Sequence, residues 1–392
     1  MMLDVARRLM TPSARSDVPP FIVMDVIAAA TKIEAAGGRV VHMEVGQPAA
    51  RAPKTAIEAA RAALSGHIGY TESLGIWPLR ERIARHYHET YGVEVSPERV
   101  IATTGSSAGF ILAFLSMFEA GDRVAIASPG YPPYRHILTA LGCEPVLIET
   151  TAETRFAITG DMLRAVHVKK KLAGILVASP ANPTGTMMTP EALADLINVA
   201  EELGVRFISD EIYHGLDYTM PAETAVRLSE NVLVINSFSK YFCMTGWRVG
   251  WIVAPEPLIR PIDRLQGNLA ISVPTLSQIA ATAAFDGREE MDAVKHGYEE
   301  NRRILLEGLP KIGFDKFLPV DGAFYLYADV SKFTDDSFDF ASRLLQEAGV
   351  ATTPGVDFDP EHGRHRLRFS YARSADDMRE AVDRIGNWLR RR

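Results

Sequence analysis

Lys240 stands in the run Ser237-Phe238-Ser239-Lys240, with Arg248 eight residues further on. Hydroxyls and a guanidinium hold a phosphate through hydrogen bonds and charge. A lysine amine condenses with an aldehyde once its surroundings stop it from being permanently protonated. Together these residues suit a phosphorylated aldehyde. Alone, a lysine and an arginine at this spacing are more often solvated surface charges, so the reading needs further residues.

Three more segments supply them. Asp210, in Phe207-Ile208-Ser209-Asp210-Glu211-Ile212-Tyr213, can pair with a protonated ring nitrogen. Tyr213 can then hydrogen-bond a phenolic oxygen on the same ring. The plainer alternative for Asp210 is a cap on the following turn. Asn182, in Ser179-Pro180-Ala181-Asn182-Pro183-Thr184-Gly185, lies between prolines that fix the direction of the chain. Thr104-Gly105-Ser106-Ser107 joins a strand-like run to a helical one. Backbone N–H groups at such a helix start bind phosphate. No glycine–lysine–serine/threonine run follows, which argues against a P-loop and a nucleoside triphosphate.

The elements that must position these residues follow from the apolar pattern. Short β-branched runs at residues 100–104, 124–127, 145–149, 175–178, 205–209, 232–236 and 249–253 alternate with helical stretches such as 110–118, 134–141 and 191–203. Strands this apolar, separated by helices, predict an α/β fold with a mainly parallel seven-stranded sheet between helices. Ligands in such sheets sit beyond the carboxyl ends of the strands, which is where Asn182, Asp210 and Lys240 fall. The C-terminal part reads as a smaller α+β domain, with helices at 291–307, 338–348 and 375–389 around strands at 323–328 and 366–370. A helix at 23–36 needs a surface to pack on and joins that domain. The resulting division is an N-terminal arm and part of the small domain (1–45), a large domain (46–280) and the rest of the small domain (281–392).

Composition narrows the partners. The 42 Lys and Arg stand against 49 Asp and Glu, a net charge of -7. That balance argues against nucleic acid, whose binders carry a basic face. No apolar stretch approaches the length of a membrane span. Cys143 and Cys243 are too few for a disulfide framework or a zinc site, which fits a cytoplasmic protein. Arg7, Arg8 and Arg15 faintly resemble a transit peptide, but Asp4 and Asp17 oppose it, and a terminal arm is the preferred reading.

Taken in order, the four segments resemble the class I/II aminotransferases of fold type I, the aspartate-aminotransferase-like family, from about residue 18 to the C-terminus. That resemblance implies pyridoxal 5′-phosphate (PLP) held as a Schiff base on Lys240, with Asp210 at the pyridine nitrogen and Asn182 and Tyr213 at O3′. It assigns the phosphate to Ser106, Ser107, Ser237, Ser239 and Arg248. Tyr131, in Ser128-Pro129-Gly130-Tyr131, matches the residue stacked on the ring. Arg368 matches the grip on a substrate α-carboxylate, with Arg366 as its rival, and the Gly46 backbone approaches the same group. Tyr70, in Gly69-Tyr70-Thr71, matches the tyrosine that reaches the neighbouring subunit's phosphate, so the resemblance also implies a homodimer with shared sites.

The implied activity moves an amino group from an L-amino acid to a 2-oxo acid such as 2-oxoglutarate, ping-pong through pyridoxamine phosphate. Pro20-Phe21-Ile22-Val23 hints at a neutral or hydrophobic donor. A PLP-dependent carbon–sulfur β-lyase would use the same Lys240 and Asp210. A PLP-sensing transcription regulator is disfavoured, because little precedes the matched region and the charge is negative. Two departures from the family pattern are Cys243, three residues after Lys240, and Gly46-Gln47-Pro48-Ala49 in place of a glycine–glutamate–proline–aspartate run.

Overall fold

A computed structural model describes residues 10–391, so Arg7, Arg8 and Asp4 lie outside the described residues. In chain order the strands are β1 (Val41–His42), β2 (Val100–Thr103), β3 (Arg123–Ser128), β4 (Glu144–Glu149), β5 (Gly174–Ala178) and β6 (Arg206–Asp210). They continue as β7 (Leu233–Ser237), β8 (Gly250–Val253), β9 (Tyr325–Asp329), β10 (Val350–Ala351), β11 (Thr353–Pro354) and β12 (Arg366–Ser370). Seven of them form one sheet in the order β2-β8-β7-β6-β5-β3-β4. Only β8 runs against its neighbours, pairing antiparallel with both β2 and β7.

Both faces of this sheet are covered, and successive residues show it. On β5, Ile175 and Val177 join one apolar cluster while Leu176 joins the other. On β6, Phe207 and Ile208 divide in the same way, as do Val234 and its neighbours Leu233 and Ile235 on β7. A strand sends alternate side chains to opposite faces, so an unbroken apolar run is what two covered faces require.

The covering helices carry their own start and stop signals. The Pro190–Leu203 helix begins with Thr189 accepting from the Ala192 N–H and ends at Gly204, whose φ is 67°. Leu193, Leu196, Ile197 and Ala200 repeat at three- and four-residue intervals and are buried. Burying each of the three larger side chains contributes about 1.5–3 kcal/mol. Removing the Thr189 cap would cost about 1 kcal/mol.

A second group of elements sits beside the sheet. β9 and β12 pair antiparallel, β11 adds to β12, and β1 pairs parallel with β10. The Ile22–Ala35 helix joins this group through Ala30, which packs with Val40, Leu345 and Ala351. Both ends of the chain therefore build the smaller α+β unit.

Local differences from the sequence reading have physical causes. The helix after β2 starts at Gly105, so Ser106 and Ser107 lie in its first turn. The strand read from 323 begins at Tyr325, because Ala323 adopts a φ of 58° that no strand accommodates. The helix read over 338–348 is α only to Arg343, and Leu344–Ala348 forms a π turn before Gly349. The sequence reading singles out none of the five helices at Lys54–Ala63, Trp77–Tyr91, Gly160–Lys169, Glu256–Ala270 and Thr275–Ala284.

Candidate active site

The strand ends converge on a cavity of about 220 Å³ whose wall includes Lys240, Asp210, Tyr213, Asn182 and Arg368. Asp210 ends β6, and its two oxygens have separate tasks. Oδ1 accepts from the Ile212 N–H at 3.0 Å, so it does cap the turn. Oδ2 accepts from the Tyr134 hydroxyl. Burial pushes the carboxyl up to about 6, opposed by the Tyr134 and Ile212 hydrogen bonds and by the charge of Lys240. Cap and cavity residue are thus the same aspartate.

Lys240 follows the end of β7 and donates from Nζ to the Gly46 carbonyl at 2.7 Å. Burial pulls its ammonium down to about 8, and the Arg368 and Arg248 cations push the same way while Asp210 resists. A lysine so placed is still mostly protonated at pH 7, yet it supplies far more free amine there than a solvated lysine. Tyr213 sits under it, with ring centroid 5.7 Å from Nζ and hydroxyl 2.7 Å from that of Tyr325. The Tyr325 hydroxyl also explains Gly46: a Cβ there would lie 1.6 Å from it.

Arg368 and Arg366 lie on the same strand, β12, yet they end in different places. Arg368 is 2% exposed, lines the cavity, and is held between the Tyr325 and Phe358 rings at 4.4 and 4.7 Å. Its Nη1 donates to Asn182 Oδ1 at 2.9 Å and its Nη2 to Thr353 Oγ1 at 3.1 Å, while buried Nε has no partner. Arg366 instead pairs with Asp329 at 3.5 Å, outside this cavity.

At the other end of the cavity, Ser106 and Ser107 lie in the first turn of the Gly105–Met117 helix, with Ser239 and Arg248 beside them. Arg248 has a φ of 52° and donates from Nη1 to the Thr245 carbonyl at 2.9 Å. Gly105, at φ 72°, leaves room for that guanidinium, since a Cβ would fall 2.3 Å from Nη2. Aligned N–H groups, hydroxyls and a fixed cation make an anion cup.

Two residues depart from the cavity. Ser237 does not line it; its Oγ lies 2.9 Å from Ser239 Oγ and accepts from the Ser239 N–H at 3.1 Å, propping that residue. Tyr70 is 82% exposed and does not reach its own chain's cavity. Tyr131 does line it, edge-on to Tyr134 at 5.2 Å.

Tyr134 and Tyr325 were missed by the sequence reading, which placed the first at a helix start and the second inside a strand. Their hydroxyls meet Asp210 and Tyr213 only through tertiary folding, and neither lies in a motif that marks it.

The pattern of the family described as "Aminotransferase class I and II" matches residues 39–385. This chain belongs to the class I and II aminotransferases. The aminotransferase is 50% identical over 380 residues to "Valine--pyruvate aminotransferase" of Mycobacterium tuberculosis, covering 96% of this chain and 97% of that one. It is 32% identical over 382 residues to "Aspartate aminotransferase" of Thermotoga maritima, covering 96% and 98%. Among solved structures, an aminotransferase from Mycobacterium tuberculosis matches with a TM-score of 0.95 at 49% identity, over 97% of this chain and 100% of that one. Aspartate aminotransferase from Thermus thermophilus with maleate matches with a TM-score of 0.91 at 32% identity, over 96% and 99%. The seven-stranded α/β fold and the aminotransferase activity stand on these likenesses together with the sheet itself. Among the described residues, no helix is long and apolar enough to cross a membrane.

Proposed function

We propose that this aminotransferase works with PLP on Lys240, taking a neutral or apolar L-amino acid as donor and a 2-oxo acid as acceptor in a ping-pong cycle. The observation that carries the reading is one cavity holding a buried amine lowered to about 8 together with the partly unpartnered Arg368 guanidinium. The residues fit the cofactor. The cup at Ser106, Ser107, Ser239 and Arg248 suits its phosphate, with Ser237 supporting Ser239. Asp210, buried and beside a hydroxyl donor, suits the ring nitrogen, and Tyr131 supplies a flat wall. Asn182 and Tyr213 remain the donors proposed for its phenolic oxygen.

When bound, PLP supplies an electron sink for the charge left at the substrate Cα. The chain does the rest. Arg368, flanked by the Gly46 backbone, grips the α-carboxylate and orients Cα. Lys240 Nζ takes the Cα proton as general base, helped by burial that eases loss of its own proton. Tyr134 and the Ile212 N–H hold the Asp210 carboxylate where a cation would need it.

The donor class rests on the cavity wall. Phe21, Val23 and Met24 form one side. Lys240, Arg248 and Arg368 are the only cations lining it among the described residues, and each already has a task. Among the described residues, no further cation lining the cavity awaits a second carboxylate. The valine and pyruvate in the name of the 50% identical relative agree with that wall.

We further propose a homodimer in which Tyr70 completes the partner's phosphate cup, and a division of the chain near residues 45 and 280. Tyr70 and Ile68 are exposed, and so are Leu269 and Ile271. Thr275 Oγ1 donates to the Gly69 carbonyl at 2.6 Å, which ties the two segments together. Ile271 holds a φ of 65°, a strained value for a β-branched residue.

A spectral screen tests the donor class: each amino acid is added to the holoenzyme and the loss of the lysine-bound cofactor's visible absorbance is followed. Valine, leucine and alanine should discharge it faster than aspartate or glutamate. A preference for the acidic donors, or pyruvate and ammonia released from cystathionine without an oxo acid, would contradict the proposal.

A further inference from the structure

The Ile22–Ala35 helix has no cap of its own. Phe21 occupies the N-cap position and its side chain accepts no hydrogen bond, while Asp25 in the first turn is exposed. The first N–H groups of a helix need acceptors from elsewhere. One comes from the far end of the chain, where Asp357 Oδ1 accepts from the Ile22 N–H at 3.3 Å.

Asp357 is 1% exposed, and its Oδ2 is buried without a partner. A half-satisfied buried carboxylate is a costly choice for a purely structural position. Burial raises its pKa, while the Ile22 N–H, Arg368 and Arg135 favour the charged form. The turn that carries it, Gly355–Asp357, lies close against Gly363, whose carbonyl would be 2.3 Å from a Cβ on Gly355. Arg135 donates to the Asp357 carbonyl at 2.5 Å, and the Gly130 N–H donates to Phe358 at 3.1 Å. Phe358 is the ring beneath Arg368.

What the helix start presents to the cavity gives this contact its consequence. Phe21 packs edge-on to Tyr131 with centroids 5.9 Å apart, and Val23 and Met24 line the same cavity. We propose that Asp357 is a positioning residue for donor specificity: it fixes the helix start, so that Phe21, Val23 and Met24 form the wall met by an apolar donor side chain. This rests on the apolar-donor reading above. Asp357 does not line the cavity, and it acts through the placement of the helix. Alanine carries a single methyl where valine carries a branched side chain, so the effect falls mainly on the longer donors.

The test compares wild type, Asp357→Ala and Asp357→Asn as holoenzymes. Loss of one cap should raise the KM for valine about five- to tenfold in Asp357→Ala, with the KM for alanine and both kcat values changed less than about twofold. Asp357→Asn keeps an acceptor and should restore most of the valine KM. Amide hydrogen exchange at residues 22–25 should quicken in Asp357→Ala and return toward wild type in Asp357→Asn. Equal KM changes for both donors, or unchanged exchange at the helix start, would overturn the proposal. If wild type prefers aspartate or glutamate to valine, the apolar-donor reading fails, and the exchange result alone decides whether Asp357 fixes the helix.

Discussion

Arg368 donates from Nη1 to Asn182 Oδ1 at 2.9 Å, joining the residue proposed for the substrate carboxylate to one proposed for the cofactor ring. The strand β12 and the turn after β5 therefore meet within one hydrogen bond, and the carboxylate grip is aimed by the ring contact. Replacing Arg368 by lysine keeps a charge but loses the planar fork and its place between two aromatic rings. We expect KM to rise by about 10- to 150-fold, the equivalent of one charge-assisted hydrogen bond of about 1.5–3 kcal/mol. Steady-state kinetics with several donors checks this, and the rise should be similar for each because all share the α-carboxylate.

The lowered Lys240 ammonium gives a pH prediction for the cofactor-free chain. Below about 8 the amine is protonated and does not attack an aldehyde; above it, the amine is free. The rate of PLP capture should therefore rise with pH through a midpoint near 8 and then level off. Arg368 lowers this value and Asp210 raises it. Arg368→Leu should move the midpoint to higher pH, and Asp210→Asn to lower pH, in stopped-flow absorbance measurements.

Tyr134→Phe removes the hydroxyl that donates to Asp210 Oδ2. That hydrogen bond holds the carboxyl down against burial, so its titration should move above about 6 in the variant. Infrared titration of the carboxyl band in the cofactor-free chain would show the shift. Holoenzyme should also lose PLP more readily on dialysis, because a protonated Asp210 no longer opposes a pyridinium charge.

Gly105→Ala places a Cβ against the Arg248 guanidinium at a backbone φ of 72°. Both effects displace the anion cup while leaving Lys240 in place. The cofactor affinity should fall by about tenfold or more, and added inorganic phosphate should compete less well with it. Equilibrium titration with PLP measures the loss.

Much of the large unit was legible because its strands carry two-faced apolar runs, and strand ends mark ligand positions in such sheets. Lys240, Asp210 and Asn182 fell at those ends, and the structure gathers them with Ser239, Arg248, Tyr131 and Arg368. Ser237 was read as a lining residue but stands behind Ser239, since residues two apart at a turn need not share a surface. Tyr134, Tyr325 and Asp357 act across 76, 112 and 335 residues of chain, and no local pattern announces such contacts. Arg366 and Arg368 share strand parity, so only their neighbours, Asp329 for one and aromatic rings for the other, separate them.

The central claim is that Lys240 carries the cofactor. Borohydride reduction of the holoenzyme, followed by proteolysis and peptide mass spectrometry, tests it directly. A pyridoxyl adduct should appear on the peptide containing Lys240, and Lys240→Ala should show neither adduct nor visible absorbance nor turnover. An adduct on a different lysine, or turnover retained by Lys240→Ala, would contradict the account.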